Sequence, residues 1–143
     1  MTGSAVVTAL QKSPARGERN PLDRATLSEG AGLDGDRHAK PGSRRALLVM
    51  EQEVLDRFGL MPGAVREQIT VRGVDLHRLD KGTRLRIGET TLEIAAHCAP
   101  CEQMDAIRPG LRKELEGQRG RFVRVLRGGA IAVGDPIEVQ PPL

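Results

Sequence analysis

Aromatic side chains are almost absent from this sequence: Phe58 and Phe122 are the only two in 143 residues, with no Tyr and no Trp. Single-strand nucleic-acid binders stack bases on aromatic faces, so no nucleic-acid partner is expected. Long apolar runs are lacking too. The longest, Ala46 to Met50, falls far short of the roughly 20 residues a membrane helix needs. Met1 to Leu10 lacks the basic start and apolar stretch of a signal peptide, so the expected location is the cytoplasm. There the only cysteines, Cys98 and Cys101, begin as thiols. Neither sign of charge dominates: 22 basic against 19 acidic side chains leave a net charge of +3. That describes a slightly basic surface, on which a few clustered arginines can still make a local anion site. No GxGxxG fingerprint is present, so neither NAD nor flavin is expected. At this length the chain fits one domain, residues 1–143, without room for a fused reductase or desulfurase.

What is abundant is punctuation. Seventeen glycines and nine prolines cut the chain into short segments that read mostly as strands. Ala5 to Leu10 reads as a first strand, and Gln11 to Gly32 as loop with one short strand. Ala46 to Met50 reads as a fully buried strand running into a helix over Glu51 to Phe58, capped by Gly59. Arg84 to Ile94 is the clearest hairpin, with Leu85, Ile87, Leu92 and Ile94 on one face. Ala130 to Val139 repeats its form and reads as a second hairpin. A short helix is expected within Pro109 to Gly117, where Leu111 and Leu115 are four apart. The fold class is therefore mainly β with short helical caps, and the hairpins favour a barrel-like sheet that removes its edges by closure.

Three segments carry chemistry. In His97-Cys98-Ala99-Pro100-Cys101, a zinc site would need a second ligand pair, and a thioredoxin-like pair would need a βαβ context. Neither is present, so zinc is not expected. Two readings stay open: a pair of small buried side chains, or one thiolate acting as nucleophile or soft-metal ligand. Cys101 is the stronger candidate, because Pro100 fixes its approach and Glu102 to Ile107 can start a helical turn. Gly32 to His38 is the second segment, a glycine-flanked acidic turn followed by Arg44 and Arg45. In it Arg37 offers a planar fork for phosphate or carboxylate, and His38 a donor, acceptor or proton. In the third, Gly63 to Thr70, the pair Glu67-Gln68 leads into a strand and can present polar groups to a ligand.

The order of these phrases resembles the MOSC family, named after the C-terminal domain of molybdenum-cofactor sulfurases. The matching phrases are GLDGDRH at Gly32 to His38, the RRALLVM strand, Gly63 to Thr70, the Gly82 to Ile94 hairpin, Pro100-Cys101, and Arg124 to Asp135. They span roughly Gly32 to Val139. Gln68 stands where the family usually has Asn, and Cys98 makes a CxxC where many members have only the second cysteine.

The resemblance implies a distorted closed β-barrel, akin to the pyruvate-kinase barrel, and a pocket for the molybdenum cofactor, a pyranopterin carrying a phosphate and a dithiolene that holds the metal. It implies Cys101 as catalytic residue and molybdenum ligand, with Arg37, His38, Arg45, Glu67, Gln68 and Thr70 as cofactor contacts. The activity it implies is a molybdenum oxidoreductase reducing N-hydroxylated compounds, with electrons from a separate reductase. The alternatives are a sulfur carrier holding a persulfide on Cys101, fed by a separate cysteine desulfurase, and a non-catalytic binding module.

Overall fold

The computed structural model describes residues 5–143; the first four residues, part of the segment read for a signal peptide, lie outside them. Among the described residues, eleven strands, three short α-helices and one 3-10 turn follow in the order β1 (Val6–Lys12), β2 (Asn20–Leu22), β3 (Arg24–Ser28), β4 (Gly32–Leu33), β5 (Leu48–Glu51), α1 (Gln52–Arg57), β6 (Ile69–Arg72), the 3-10 turn (Leu76–Arg78), β7 (Arg84–Ile87), β8 (Thr90–His97), α2 (Glu102–Ile107), α3 (Leu111–Glu114), β9 (Arg121–Arg127), β10 (Gly129–Ala132) and β11 (Ile137–Gln140). The fold is mainly β, as composition and punctuation predict. One sheet orders its strands β11-β7-β8-β9-β5-β6-β1-β2, and β10-β3-β4 form a second. Among the described residues only β5 and β6 pair in parallel; α1 and the Gly63–Gln68 segment lie between them in the chain.

The hairpin read over Arg84 to Ile94 is present, with Leu85 opposite Leu92 and Ile87 opposite Thr90. Two other readings are corrected. The Gln11 to Gly32 stretch holds the end of β1, all of β2 and β3, and the start of β4. Its polar, glycine- and proline-broken sequence hid them: β2 pairs with the end of β1 and β3 with β4, while β3 also takes β10 from far along the chain. The closing phrase Ala130 to Val139 is not a hairpin: β10 pairs with β3, whereas β11 pairs with β7. The turn between them docks on β1 instead. Val7 N–H donates to the Asp135 carbonyl at 3.0 Å, Gly134 N–H to the Val7 carbonyl at 2.8 Å, and Ile137 N–H to the Ala5 carbonyl at 2.9 Å. The run into β11 thus lies along the first half of β1, while the second half of β1 pairs with β2.

The alternating apolar residues make two cores. The larger joins Val7, Leu10, Leu27, Val49, Ile69, Leu85, Ile87, Leu92, Ile94 and Ile131 across the sheets. The smaller gathers Met50, Val54, Leu55, Val65, Met104, Leu111 and Leu115, with Phe58 and Leu60 at its edge. Burial of each such side chain contributes about 1.5–3 kcal/mol. This second core matters for function. Through Met104, fully buried on α2, it anchors the helix that begins immediately after Cys101.

Candidate functional site

The glycine-flanked acidic turn folds inward at one residue. Asp36 is buried, and its carboxylate accepts three hydrogen bonds: Oδ1 from Ser13 N–H at 2.7 Å, and Oδ2 from His38 N–H at 3.0 Å and from the Gln68 amide at 3.2 Å; Oδ2 also lies 3.0 Å from His38 Nδ1. Gln68 continues the brace, its Oε1 accepting Leu48 N–H at 2.8 Å. Asp36 therefore ties β1, the turn, β5 and the start of β6 together. Hydrogen bonds to a buried carboxylate contribute about 1.5–3 kcal/mol each.

Glu67 is fully buried. Its Oε2 accepts the Gly63 N–H at 2.9 Å and the Thr70 hydroxyl at 2.8 Å. Gln11 donates to the Glu67 carbonyl at 3.0 Å and to Thr70 Oγ1 at 3.3 Å. Two acceptors in this nest have no partner: Glu67 Oε1 and Gln11 Oε1. Burial pushes the Glu67 carboxyl above the ordinary carboxylate range, against the Gly63 and Thr70 hydrogen bonds and the charge of Arg19. Orphaned acceptors in a buried nest are the groups an N–H donor of a ligand would satisfy.

Beside this nest lies a cavity of about 770 Å³, within the range of small-molecule sites. Gln11 lines it, together with four arginines, Arg16, Arg19, Arg37 and Arg66, and with Gln103 and Ile107 from α2. Glu18 is the one acidic side chain in its wall. Arg66 has a φ of 71°, the only positive φ of a non-glycine among the described residues. This uncommon conformation for a long side chain sits in the wall of the cavity, where backbone strain is often found to serve function. A second cavity of about 540 Å³ lies across the fold, bounded by Gly30, Gly32, Arg44, Lys81 and Arg124.

The cysteine segment leaves β8 and enters α2. Cys98 is buried and Cys101 partly exposed, both as free thiols. Burial pushes the Cys98 thiol up, with Arg119 and Arg45 acting in the opposite sense, so its protonated form is favoured. The Cys101 thiol donates to Gln103 Oε1 at 3.7 Å. Cys98 N–H donates to the Gly120 carbonyl at 3.1 Å, which fixes the loop against the segment entering β9. On that segment Arg119 and Arg121 are both buried. Arg121 is a clamp: its guanidinium donates to the carbonyls of Leu76, Leu79 and Ala95 at 2.6–3.2 Å.

The residues singled out from sequence divide into three groups. Arg37 is exposed and lines the large cavity, and Glu67 lies in the nest beside it. Gln68, Thr70 and His38 are turned into the internal hydrogen-bond network, where Gln68 and Thr70 are buried and His38 is half-exposed. Arg45 stacks over the Phe122 ring, 5.5 Å from its centroid, on the Cys98 side. Cys101 lies beyond the cavity wall, joined to it through Gln103. Sequence reasoning did not single out Asp36, Gln11, Arg19, Arg66 or Arg119. For Arg119 the one available signal was its setting between Gly117 and Gly120.

A model of the MOSC domain matches residues 34–138 of this chain. Among solved structures, the YuaD protein from Bacillus subtilis is similar with a TM-score of 0.79 and 21% identity, covering 99% of this chain and 98% of that one. YiiM from Escherichia coli gives 0.72 and 18%, covering 96% and 71%. YiiM from Geobacillus stearothermophilus gives 0.67 and 18%, covering 95% and 73%. At these identities the structural likeness shows the fold alone. No curated protein matches the chain.

Proposed function

The chain belongs to the MOSC domain family, and from this we propose that it is a single molybdenum-cofactor-binding domain whose Cys101 thiolate is a metal ligand. The observation that carries the reading is the cavity of about 770 Å³ lined by four arginines and by Gln11, whose unpartnered Oε1 belongs to the buried nest around Glu67 behind the wall. The residues fit the group. Arg37 and its neighbours Arg16, Arg19 and Arg66 suit a phosphate. The unpartnered oxygens of Glu67 and Gln11 suit the N–H groups of a pterin edge. Asp36, Gln68 and Thr70 would act behind them, holding the nest and the turn in place. When bound, the cofactor supplies a metal centre that exchanges electrons and oxygen with a substrate.

Cys101 would offer the metal a soft thiolate. Cys98, buried behind it with its thiol pushed up, would stay protonated and out of the chemistry. The substrate class is N-hydroxylated compounds and the electron donor a separate reductase in the cytoplasm. The contacts of the Gly134–Ile137 run with β1 support reading the large sheet as a closed, distorted barrel. The partial exposure of Cys101 supports one alternative, a sulfur carrier holding a persulfide there and loaded by a separate cysteine desulfurase.

The test is iodoacetamide labelling of Cys101 in apo and cofactor-loaded protein, alongside molybdenum content. Protection of Cys101 together with near-stoichiometric molybdenum is the expected result. Retained molybdenum with Cys101 labelled as fast as in apo protein would overturn ligation and favour the sulfur carrier.

A further inference from the structure

Arg119 is 5% exposed, yet its Nε and Nη1 have no hydrogen-bond partner. No ion pair among the described residues includes it. The contrast with Arg121, two residues on and equally buried, is sharp, because Arg121 directs its donors to three carbonyls. A guanidinium does not lose its proton in a protein, and buried charge without a partner is costly. The Gly120 carbonyl next to Arg119 holds Cys98 N–H, so the unpaired cation stands on the segment that anchors the cysteine loop. The ionisable groups within electrostatic reach of it are the Cys98 and Cys101 thiols and the Glu67 carboxyl, and none is hydrogen-bonded or ion-paired with it.

We propose that Arg119 is a binding site for a compact oxyanion, the carboxylate, sulfonate or phosphoryl group of a small molecule brought to the thiol of Cys101. The guanidinium supplies charge-assisted donors to the anion, and the anion supplies the partner that the fold withholds. The site selects which molecules reach Cys101: anionic ones are concentrated there and neutral ones are not. It draws on none of the residues assigned to the cofactor other than Cys101 and needs no metal. Its test therefore stands or falls apart from the cofactor reading.

The experiment uses apo protein carrying Cys98→Ser, so that only Cys101 is alkylated. Its rate is measured with iodoacetate, which is anionic, and with iodoacetamide, its neutral analogue. In both cases the thiolate forms a carbon–sulfur bond as iodide leaves, so the two reagents differ at this step in charge. The ratio of iodoacetate to iodoacetamide rates is expected to fall about tenfold in Arg119→Gln, with the iodoacetamide rate little changed and Arg119→Lys retaining part of the preference. Inorganic sulfate is expected to slow iodoacetate in the parent and not in Arg119→Gln. A folded Arg119→Gln protein with the parental ratio would overturn the proposal. Should Arg119→Gln fail to fold, the sulfate arm decides on the parent alone: an iodoacetate rate that sulfate leaves unchanged, at constant ionic strength, overturns it equally.

Discussion

Asp36 and Gln68 meet through a 3.2 Å hydrogen bond that spans 32 residues of sequence. It joins the glycine-flanked turn to the residue that leads into β6, between Glu67 and Thr70, and so braces the two segments against each other. Asp36→Ala leaves the N–H groups of Ser13 and His38 and the Gln68 amide without an acceptor. Unfolding by urea is expected to show a loss of about 3–5 kcal/mol. Asp36→Asn, which keeps one acceptor oxygen, is expected to lose less. Equal midpoints for Asp36→Ala and the parent would remove Asp36 from the centre of the network.

Glu51, at the junction of β5 and α1, has its carboxyl pushed up to about 7 by burial, reinforced by the charges of Asp75 and Glu53, with Arg57 opposing. Its ionisation is disfavoured in the fold relative to the unfolded chain. The fold binds its proton more tightly between the unfolded value near 4.5 and the folded value near 7, so its contribution to stability falls as pH rises through that window. Glu51→Gln lacks this loss. Above pH 7 it is expected to be more stable than the parent by about 1–2 kcal/mol, after allowing for screening by the solvent that reaches the group. Below pH 4.5 the gap is expected to close. Melting curves of the pair across pH 4–8 check it.

Gly120 has a φ of +98°, and a Cβ there would lie 2.5 Å from the Val49 carbonyl oxygen. Gly120→Ala is expected to cost at least about 2 kcal/mol. Because its carbonyl holds Cys98 N–H, it is also expected to speed labelling of Cys98 by a neutral alkylating reagent. Denaturant titration and peptide mass analysis measure the two effects. A stable variant with Cys98 still protected would show that the close packing of Gly120 on the Val49 carbonyl does not hold the cysteine loop.

The two cysteines are expected to differ. Cys101→Ser is expected to abolish function, whereas Cys98→Ser, which replaces a buried neutral thiol, is at least partly tolerated. An assay of oxidoreduction or of sulfur transfer separates them. Equal loss from both would point to a redox pair or a shared metal site.

Much of the frame was legible because it is local. Leu85, Ile87, Leu92 and Ile94 alternate over a tight turn, and their hairpin follows from that alternation alone. Glu102 to Ile107 and Leu111 to Leu115 likewise show their helices. The closing phrase has the same local pattern and a different outcome, since β10 and β11 find their partners in β3 and β7. Alternation specifies a strand but not its neighbour. In the site, residue type limits the options only for a soft thiol, which is why Cys101 stood out as the one to test. The site was illegible where burial decides the role. Nothing in the spelling of Asp34 and Asp36 says that the second turns inward to accept three hydrogen bonds. Nothing in Arg119 and Arg121 says that one is saturated and the other left with free donors.

The central claim is that Cys101 is a protein ligand to molybdenum, and X-ray absorption at the molybdenum edge tests it most directly. Protein loaded in a cofactor-competent host is compared with Cys101→Ser prepared in the same way. The account predicts that the parent's metal has one more sulfur neighbour than that of the Cys101→Ser protein. Identical sulfur coordination in the two, at equal molybdenum content, would contradict it.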